Sequence, residues 1–149
     1  MRARDIAEDY PTVRMDDDAL ATAHLLAERR LAAIVVVDDR GMPVAVLPAS
    51  QVLRFIIPNY VQRDPGLARV YDEKGAGELS AELRGRLVRD VLPREELRHV
   101  EVVNGAATPM EVAAVMARMH SPVVAVVEEQ RMLGVVTVGS LLDHILPTA

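Results

Sequence analysis

The feature that most constrains the fold of this chain is an internal duplication. The segment DDDALATAHLLAERRLAAIVVVDD (16–39) aligns without gaps over AATPMEVAAVMARMHSPVVAVVEE (106–129), and the apolar positions of the two segments coincide. Leu26, for example, falls on Met116, and an acidic pair closes both segments. Self-similarity of this length means that one supersecondary unit occurs twice in the chain.

The alignment continues beyond these two segments. In the same register VAVLPASQVLRFI (44–56) lies over GVVTVGSLLDHIL (134–146), which places Ser50 on Ser140. We therefore expect the number of residues that separates equivalent positions of the two copies to stay constant through their second halves. In this register Leu47 stands at the position of Thr137.

Each copy is predicted to run β-α-β-β-α. A short lead, RDI (4–6) in the first copy and RDV (89–91) in the second, supplies the first β element. Apolar residues at helical spacing then predict an amphipathic helix. Asp18 and Thr108 are suitable N-caps for this helix, and Pro109 suits its first turn.

Two strands and a second helix complete each copy. The β-branched runs AIVVVDD and PVVAVVEE predict strands that are covered on both faces. A turn leads to a second strand, and the last helix is expected to begin at Ser50 or Ser140 and to end before Pro58 or Pro147.

One copy alone is too small to bury a secure core. We therefore expect an α+β fold in which two β-α-β-β-α repeats pack as a pseudo-twofold pair through their sheets. The predicted boundaries are 1–58 for the first repeat, 59–86 for a partly helical connector and 87–149 for the second repeat. Long connectors often carry a function, so the connector covers the core, binds a partner or is partly disordered.

The composition excludes several classes of function. The chain has no cysteine, and its four histidines show no metal-ligand spacing. The net charge of −5 argues against nucleic-acid binding. The longest apolar run, LAAIVVV (31–37), is far shorter than a bilayer span, and MRARDIAEDYP (1–11) lacks the apolar core of a signal peptide. We expect a cytoplasmic protein without membrane insertion, metal or resident cofactor.

Ser140 follows a glycine at a strand-to-helix junction, and three roles are open for it. A nucleophile elbow requires the pattern G-x-S-x-G, which VTVGSLL lacks. Phosphate-binding loops and zinc-protease motifs are also absent from the sequence, so we expect no catalytic activity. A helix N-cap or a ligand contact remains for Ser140, and the two roles are compatible.

The duplicated pattern resembles a tandem pair of CBS domains, the Bateman module. The most specific part of this resemblance is GVVTVGSLL (134–142), supported by RDV before the second repeat and PVVAVVEE within it. The likeness covers 1–58 and 87–149. It implies a cleft between the repeats that often binds an adenosyl ligand, namely AMP, ADP, ATP, S-adenosylmethionine or a cyclic dinucleotide.

The resemblance also implies which residues line that cleft. Thr137 and the residue three positions later, here Ser140, contact ribose in this pattern, with Val138 between them and Ser50 as the first-repeat counterpart of Ser140. Residues just before the first long strand face phosphate, and residues of the lead wall the adenine. The implied ligand-binding residues are Ile6, Arg30, Ser50, Val91, His120, Thr137, Val138 and Ser140.

Each of these residues also has a purely structural interpretation. Thr137 is β-branched and suits a strand. Arg30 lies where a cation complements the helix dipole, and His120 suits an exposed surface. The resemblance to CBS-domain pairs implies a regulatory homodimer that signals to a transporter or an enzyme. It would act either as a ligand sensor or as a ligand-free interaction module.

Overall fold

The computed structural model describes residues 1–70, 77–78, 80–94 and 100–148. Each copy forms a three-stranded sheet flanked by helices, as the duplication predicts. The first copy contains α1 (Ala3–Ile6), β1 (Thr12–Arg14), α2 (Ala19–Glu28), β2 (Ala33–Val37), β3 (Pro43–Pro48) and α3 (Ala49–Ile56). The second copy contains α5 (Val88–Val91), β4 (Val102–Asn104), α6 (Pro109–Met119), β5 (Val123–Glu128), β6 (Arg131–Thr137) and α7 (Val138–Ile145).

The lead segments form single helical turns, so the predicted β assignment of the lead is wrong. In α1 the Asp5 carboxylate accepts a hydrogen bond of 2.8 Å from the Arg2 backbone N–H. In α5 the Asp90 carboxylate accepts one of 2.9 Å from the Leu87 N–H. The aspartate of the R-D pair thus satisfies a free donor at the start of the turn, which favours a helix.

The two sheets have the same topology. In each sheet the first strand runs parallel to the second and the second runs antiparallel to the third. Every residue of β2 is buried, which confirms the prediction of a strand covered on both faces. The predicted caps are also present, because Asp18 accepts from Ala21 N–H at 2.9 Å and Thr108 from Glu111 N–H at 3.2 Å.

Strand pairing corrects the register in the second half of the repeat. Ala33 pairs with Pro48, whereas Val123, which aligns with Ala33, pairs with Thr137. The turn between the last two strands is one residue longer in the first copy. The prediction that equivalent positions stay a constant number of residues apart is therefore wrong beyond this turn. Pro48 therefore stands at the position of Thr137.

The first residue of the last helix also differs from the prediction in both copies. The helices α3 and α7 begin at Ala49 and Val138, not at the two serines. Gln51 rather than Ser50 is the counterpart of Ser140. In α7 the N-cap is Thr137, whose Oγ1 accepts from the Ser140 N–H at 3.1 Å, so Ser140 is the third helical residue and not the cap.

The two leads are exchanged between the repeats. Ala3 and Ile6 are buried in the core of the second repeat, with Val103 and Val112 among their neighbours. In the same way α5, which precedes the second repeat in sequence, is buried in the first-repeat core around Ile34. Each core is therefore completed by a lead segment that lies closer in sequence to the other repeat.

The sheets of the two repeats meet in a shared apolar cluster, as expected for a pseudo-twofold pair. Ala33 and Val35 of β2 pack there with Val123 and Val135 of the second repeat. Tyr10 and Val46 pack against the edge of this cluster. This cluster, the inter-repeat core, joins the two repeats.

The connector covers part of the first repeat. It contains α4 (Asn59–Arg63) and two short 3-10 turns (Pro65–Val70 and Ala81–Leu83). Leu83 is buried in the first-repeat core, and the Gln62 side chain donates to carbonyl groups at the end of α3. The predicted apolar contacts of Tyr71 and Leu79 fall outside the described residues.

Candidate functional site

A cavity of about 420 Å³ lies between the two repeats. One wall is built by β3 and α3 of the first repeat, and the other by the end of α6 and the start of β5. Its lining is largely apolar, which is typical of sites for small organic ligands. The apolar lining residues are Val46, Pro48, Pro93, Val115, Met116, Met119, Pro122, Val123 and Val124.

Polar groups from both repeats also line this cavity. Arg54 and Gln51 project from α3, while His120 and Ser121 follow α6 and Glu101 precedes β4. The Gln51 amide donates to the Val91 carbonyl at 3.0 Å, which leaves the amide oxygen available as an acceptor. The Ser121 hydroxyl donates to the Val123 carbonyl at 2.5 Å.

The charges around the cavity are not balanced. Glu101 pairs with Arg118 at 3.3 Å, so its carboxylate is already engaged. Within the described part of the chain, neither the Arg54 guanidinium nor the His120 ring has a hydrogen-bond or ion-pair partner. One strong donor from each repeat is therefore free to bind an anionic group in the cavity.

His120 and Arg30 occupy equivalent positions in the two repeats. Both end the first long helix in the left-handed conformation, with φ of 51° and 53°. This conformation is uncommon for residues other than glycine. It turns the chain sharply from α6 or α2 into the following strand. The backbone therefore places both residues just before the start of that strand.

Among the ligand-binding residues expected from the sequence, His120 lines the cavity. Ile6 and Val91 are buried in the two repeat cores. Val138 lies on the outer face of the molecule, where it forms a shallow groove with Leu142 and Ile145. The side chains expected to wall an adenine are thus engaged in packing.

The remaining expected residues lie elsewhere. Thr137 caps α7 and Ser140 lies in the first turn of that helix, while Arg30 is exposed after α2, and none of the three lines the cavity. Ser50 is exposed on α3, one position before the cavity-lining Gln51. Its predicted role rested on the alignment register that strand pairing corrects.

Sequence reasoning missed Gln51 and Arg54. Both follow from the correct register, in which they lie three and six residues after Pro48. The available signal was the turn DDRGM (38–42), which carries an extra residue beside Gly41 when it is set against EEQR (128–131). Placing the gap at that turn brings Gln51 to the position of Ser140.

Across the residues that the structure describes, no helix has the length and hydropathy needed to cross a bilayer. In the same residues, no three His, Asp or Glu side chains come close enough to hold a metal ion.

Comparison with known proteins places the repeats in context. The family model described as CBS domain matches residues 3–58 and again 88–147. A CBS domain-containing protein of unknown function from Kribbella flavida is 45% identical, with a TM-score of 0.85 and 99% of both chains covered. No curated protein matches the chain.

Two more solved structures share the fold. The CBS domain of a CBS domain-containing membrane protein from Sphaerobacter thermophilus is 26% identical, with a TM-score of 0.72, over 98% of this chain and 88% of that one. CBSX2 in complex with AMP is 16% identical, with a TM-score of 0.68, over 96% of this chain and 94% of that one. At that identity the last likeness shows the fold alone.

Proposed function

Because the chain belongs to the CBS-domain family, as a tandem pair of repeats, we propose that it is a regulatory module that binds an adenosyl ligand between its repeats. The observation that carries this proposal is the pair of free donors, Arg54 and His120, which face one apolar cavity from opposite repeats. A nucleotide matches this arrangement, since its base is flat and largely apolar and its phosphate is anionic. The AMP bound to CBSX2, a protein of the same fold, is consistent with it.

The placement of the donors suggests how binding is transmitted. A phosphate held by Arg54 and His120 together links the first repeat to the second. The ligand therefore favours conformations in which the repeats are close, and it shifts the population toward them in proportion to its preference for that state. A partner that recognises this state, in our proposal a transporter or an enzyme in the cytoplasm, would respond to the ligand.

Calorimetry with a ligand panel tests the proposal. The panel contains AMP, ADP, ATP, adenosine, S-adenosylmethionine and a cyclic dinucleotide. Replacing Arg54 by glutamine removes one charge-assisted hydrogen bond, so we expect AMP affinity to fall by about tenfold or more while adenosine affinity stays unchanged. The exposed Arg84, which does not line the cavity, provides the control variant Arg84→Gln.

The outcomes separate clearly. Equal losses for AMP and adenosine in Arg54→Gln would show that the guanidinium does not meet the phosphate. No binding by any member of the panel, in calorimetry or thermal shift, would contradict the ligand-sensing function. The absorbance spectrum adds a check, because a protein without tryptophan absorbs weakly at long wavelengths and a co-purifying adenine compound is readily seen.

A second function, a ligand-free dimeric interaction module, is favoured by a different observation. Val138, Leu142, Ile145 and Leu146 expose apolar side chains along α7 and its end. We propose that this strip contacts the same strip of a second copy, because a twofold axis lets an apolar surface cover itself. Replacing Leu142 by glutamate is expected to convert a dimer into monomers in analytical ultracentrifugation, and an unchanged mass would exclude the strip.

A further inference from the structure

A second cavity lies on the first repeat and shares no lining residue with the cavity between the repeats. Its volume is about 640 Å³, which is within the range of small-molecule sites. The walls are formed by the end of β1, by the turn between β2 and β3, and by α5. We call this space the turn cavity. The function proposed above makes no use of it.

The turn cavity lies where the two repeats differ in their ion pairing. In the second repeat, Glu128 pairs with Arg4 of α1 at 2.6 Å. The equivalent carboxylate of the first repeat, Asp38, instead accepts hydrogen bonds of 2.8 and 2.9 Å from two backbone N–H groups of its own turn. Arg89 of α5, the counterpart of Arg4, donates through Nε to a backbone carbonyl after β1 at 3.4 Å. Both of these first-repeat side chains line the turn cavity.

The formal charge of the turn cavity is balanced, because three arginines and three aspartates line it. Arg14 and Asp39 form an ion pair with each other. The backbone hydrogen bond from Met42 is the main cause that lowers the pKa of the Asp38 carboxyl group, so this aspartate is ionised. A simple anion would meet three carboxylates in the cavity, and a simple cation would meet three guanidinium groups. The wall therefore favours a ligand that carries both charges.

Two oppositely charged side chains of this wall are available to a ligand. Within the residues that the structure describes, neither the Arg40 guanidinium nor the Asp16 carboxylate has a hydrogen-bond or ion-pair partner. Arg40 belongs to the turn after β2, whereas Asp16 follows β1, so the two charges come from different segments. Both residues are exposed, which leaves their side chains room to adjust to a ligand.

Apolar side chains complete the wall of the turn cavity. Val37 is buried at the end of β2, and Met15 and Val44 are partly buried. A methionine adapts its shape to different apolar groups. This part of the wall suits an aliphatic group of a few carbon atoms.

We propose that the turn cavity binds a free α-amino acid with an aliphatic side chain. Arg40 holds the carboxylate, because a planar guanidinium group matches a carboxylate in a bidentate pair. Asp16 accepts hydrogen bonds from the ammonium group, and the aliphatic side chain lies against Met15 and Val44. The bound amino acid connects the turn to the segment after β1 and thereby stabilises the folded first repeat.

Calorimetry with leucine as the probe tests this proposal on the parent chain. We expect one equivalent of leucine to bind. The carboxylic acid that lacks the ammonium group of leucine and the amine that lacks its carboxylate are each expected to bind about tenfold more weakly or worse, since a charge-assisted contact is lost. The proposal is overturned if leucine does not bind, or if either analogue binds as tightly as leucine does.

Variants of the wall locate the bound leucine. Arg40→Gln and Asp16→Asn each remove one charge, so we expect leucine affinity to fall by about tenfold or more. The matched controls are Arg84→Gln and Asp143→Asn, which change exposed residues outside the turn cavity and should leave the affinity unchanged. Circular dichroism establishes that all four variants retain the fold. Unchanged leucine affinity in either wall variant would overturn the proposal.

The two proposed sites fail independently of each other. Arg54→Gln changes the cavity between the repeats and should leave leucine affinity unchanged, while Arg40→Gln should leave AMP affinity unchanged. Loss of leucine binding in Arg54→Gln would place the amino acid between the repeats and overturn this proposal. A chain that binds leucine as described but binds no adenosyl ligand would support the turn cavity and contradict the proposed function.

Discussion

The two repeats share one topology and differ in the residues that stand at equivalent positions of the last strand and helix. The first repeat presents Pro48, Gln51 and Arg54 to the cavity between the repeats. The second repeat carries Thr137, which caps α7, and Ser140, the closest match to the family pattern. These two residues do not line the cavity, so a motif alone does not locate the cavity in a duplicated fold.

The largest expected effect tests the exchange of leads. Ile6→Ala removes a side chain that is 3% exposed in the second-repeat core, and we expect a loss of about 2–5 kcal/mol in unfolding free energy. Hydrogen exchange should then accelerate in β5 and β6 rather than in β2. The matched variant Val91→Ala should accelerate hydrogen exchange in β2 instead. Faster hydrogen exchange in the repeat that adjoins each lead in sequence would contradict the placement of the leads in the opposite repeat cores.

The next effect concerns the contact between Glu8 and β6. A Cβ at Gly134 would lie 2.6 Å from the Glu8 carbonyl oxygen, so Gly134→Ala must displace the N-terminal segment. The clash and the two lost hydrogen bonds predict a loss of about 2–4 kcal/mol in chemical denaturation. The first-repeat counterpart already carries a Cβ, and Ala45→Gly is expected to cost only about 0.5–1 kcal/mol.

A smaller effect is expected from the helix cap that only the second repeat has. Thr137→Val removes the oxygen that accepts from Ser140 N–H, and the expected loss is about 1 kcal/mol. Thr137→Ser keeps an acceptor and should remain close to the parent in thermal unfolding. Because Thr137 does not line the cavity between the repeats, neither variant should alter AMP affinity there, and a large change would place the ligand against Thr137.

The smallest effect is a pH dependence that arises from Tyr10, which packs against the edge of the inter-repeat core. The pKa of Tyr10 is raised by burial, so the folded chain holds this proton more tightly than the unfolded chain does. The stabilisation is complete below the ordinary tyrosine pKa of about 10 and is lost as pH rises above it. Melting temperatures should therefore fall more steeply above that pH for the parent than for Tyr10→Phe, and identical slopes would show that Tyr10 is not buried in solution.

The sequence was sufficient for the architecture because the duplication and the buried β-branched runs are strong local signals. The sequence was insufficient for the site because the residues that line the cavity are identified correctly only when the two copies are aligned in the correct register. One extra residue in the turn around Gly41 moves every later first-repeat residue by one position, which exchanges Ser50 for Gln51. On a helix, that shift turns a side chain from the cavity wall to the surface.

The exchange of leads was beyond local reasoning for another reason. RDI and RDV are equivalent in sequence, so nothing in the two tripeptides indicates which repeat core each one joins. Only the tertiary arrangement determines that choice. The contact of Tyr10 with β2 was missed in the same way, since nothing in DYP (9–11) indicates that its hydroxyl reaches the Ala33 carbonyl.

The crossed leads have a consequence for synthesis on the ribosome. The first half of the chain emerges without α5, which fills its interior, and the N-terminus emerges long before β5 and β6, on which it docks. The first-repeat core is completed once α5 is available, whereas the second-repeat core, which α1 completes, forms only when nearly the whole polypeptide has been made, so folding waits on contacts between distant parts of the chain. A truncated product would leave apolar surface uncovered, and quality-control proteases would have a simple feature by which to recognise it.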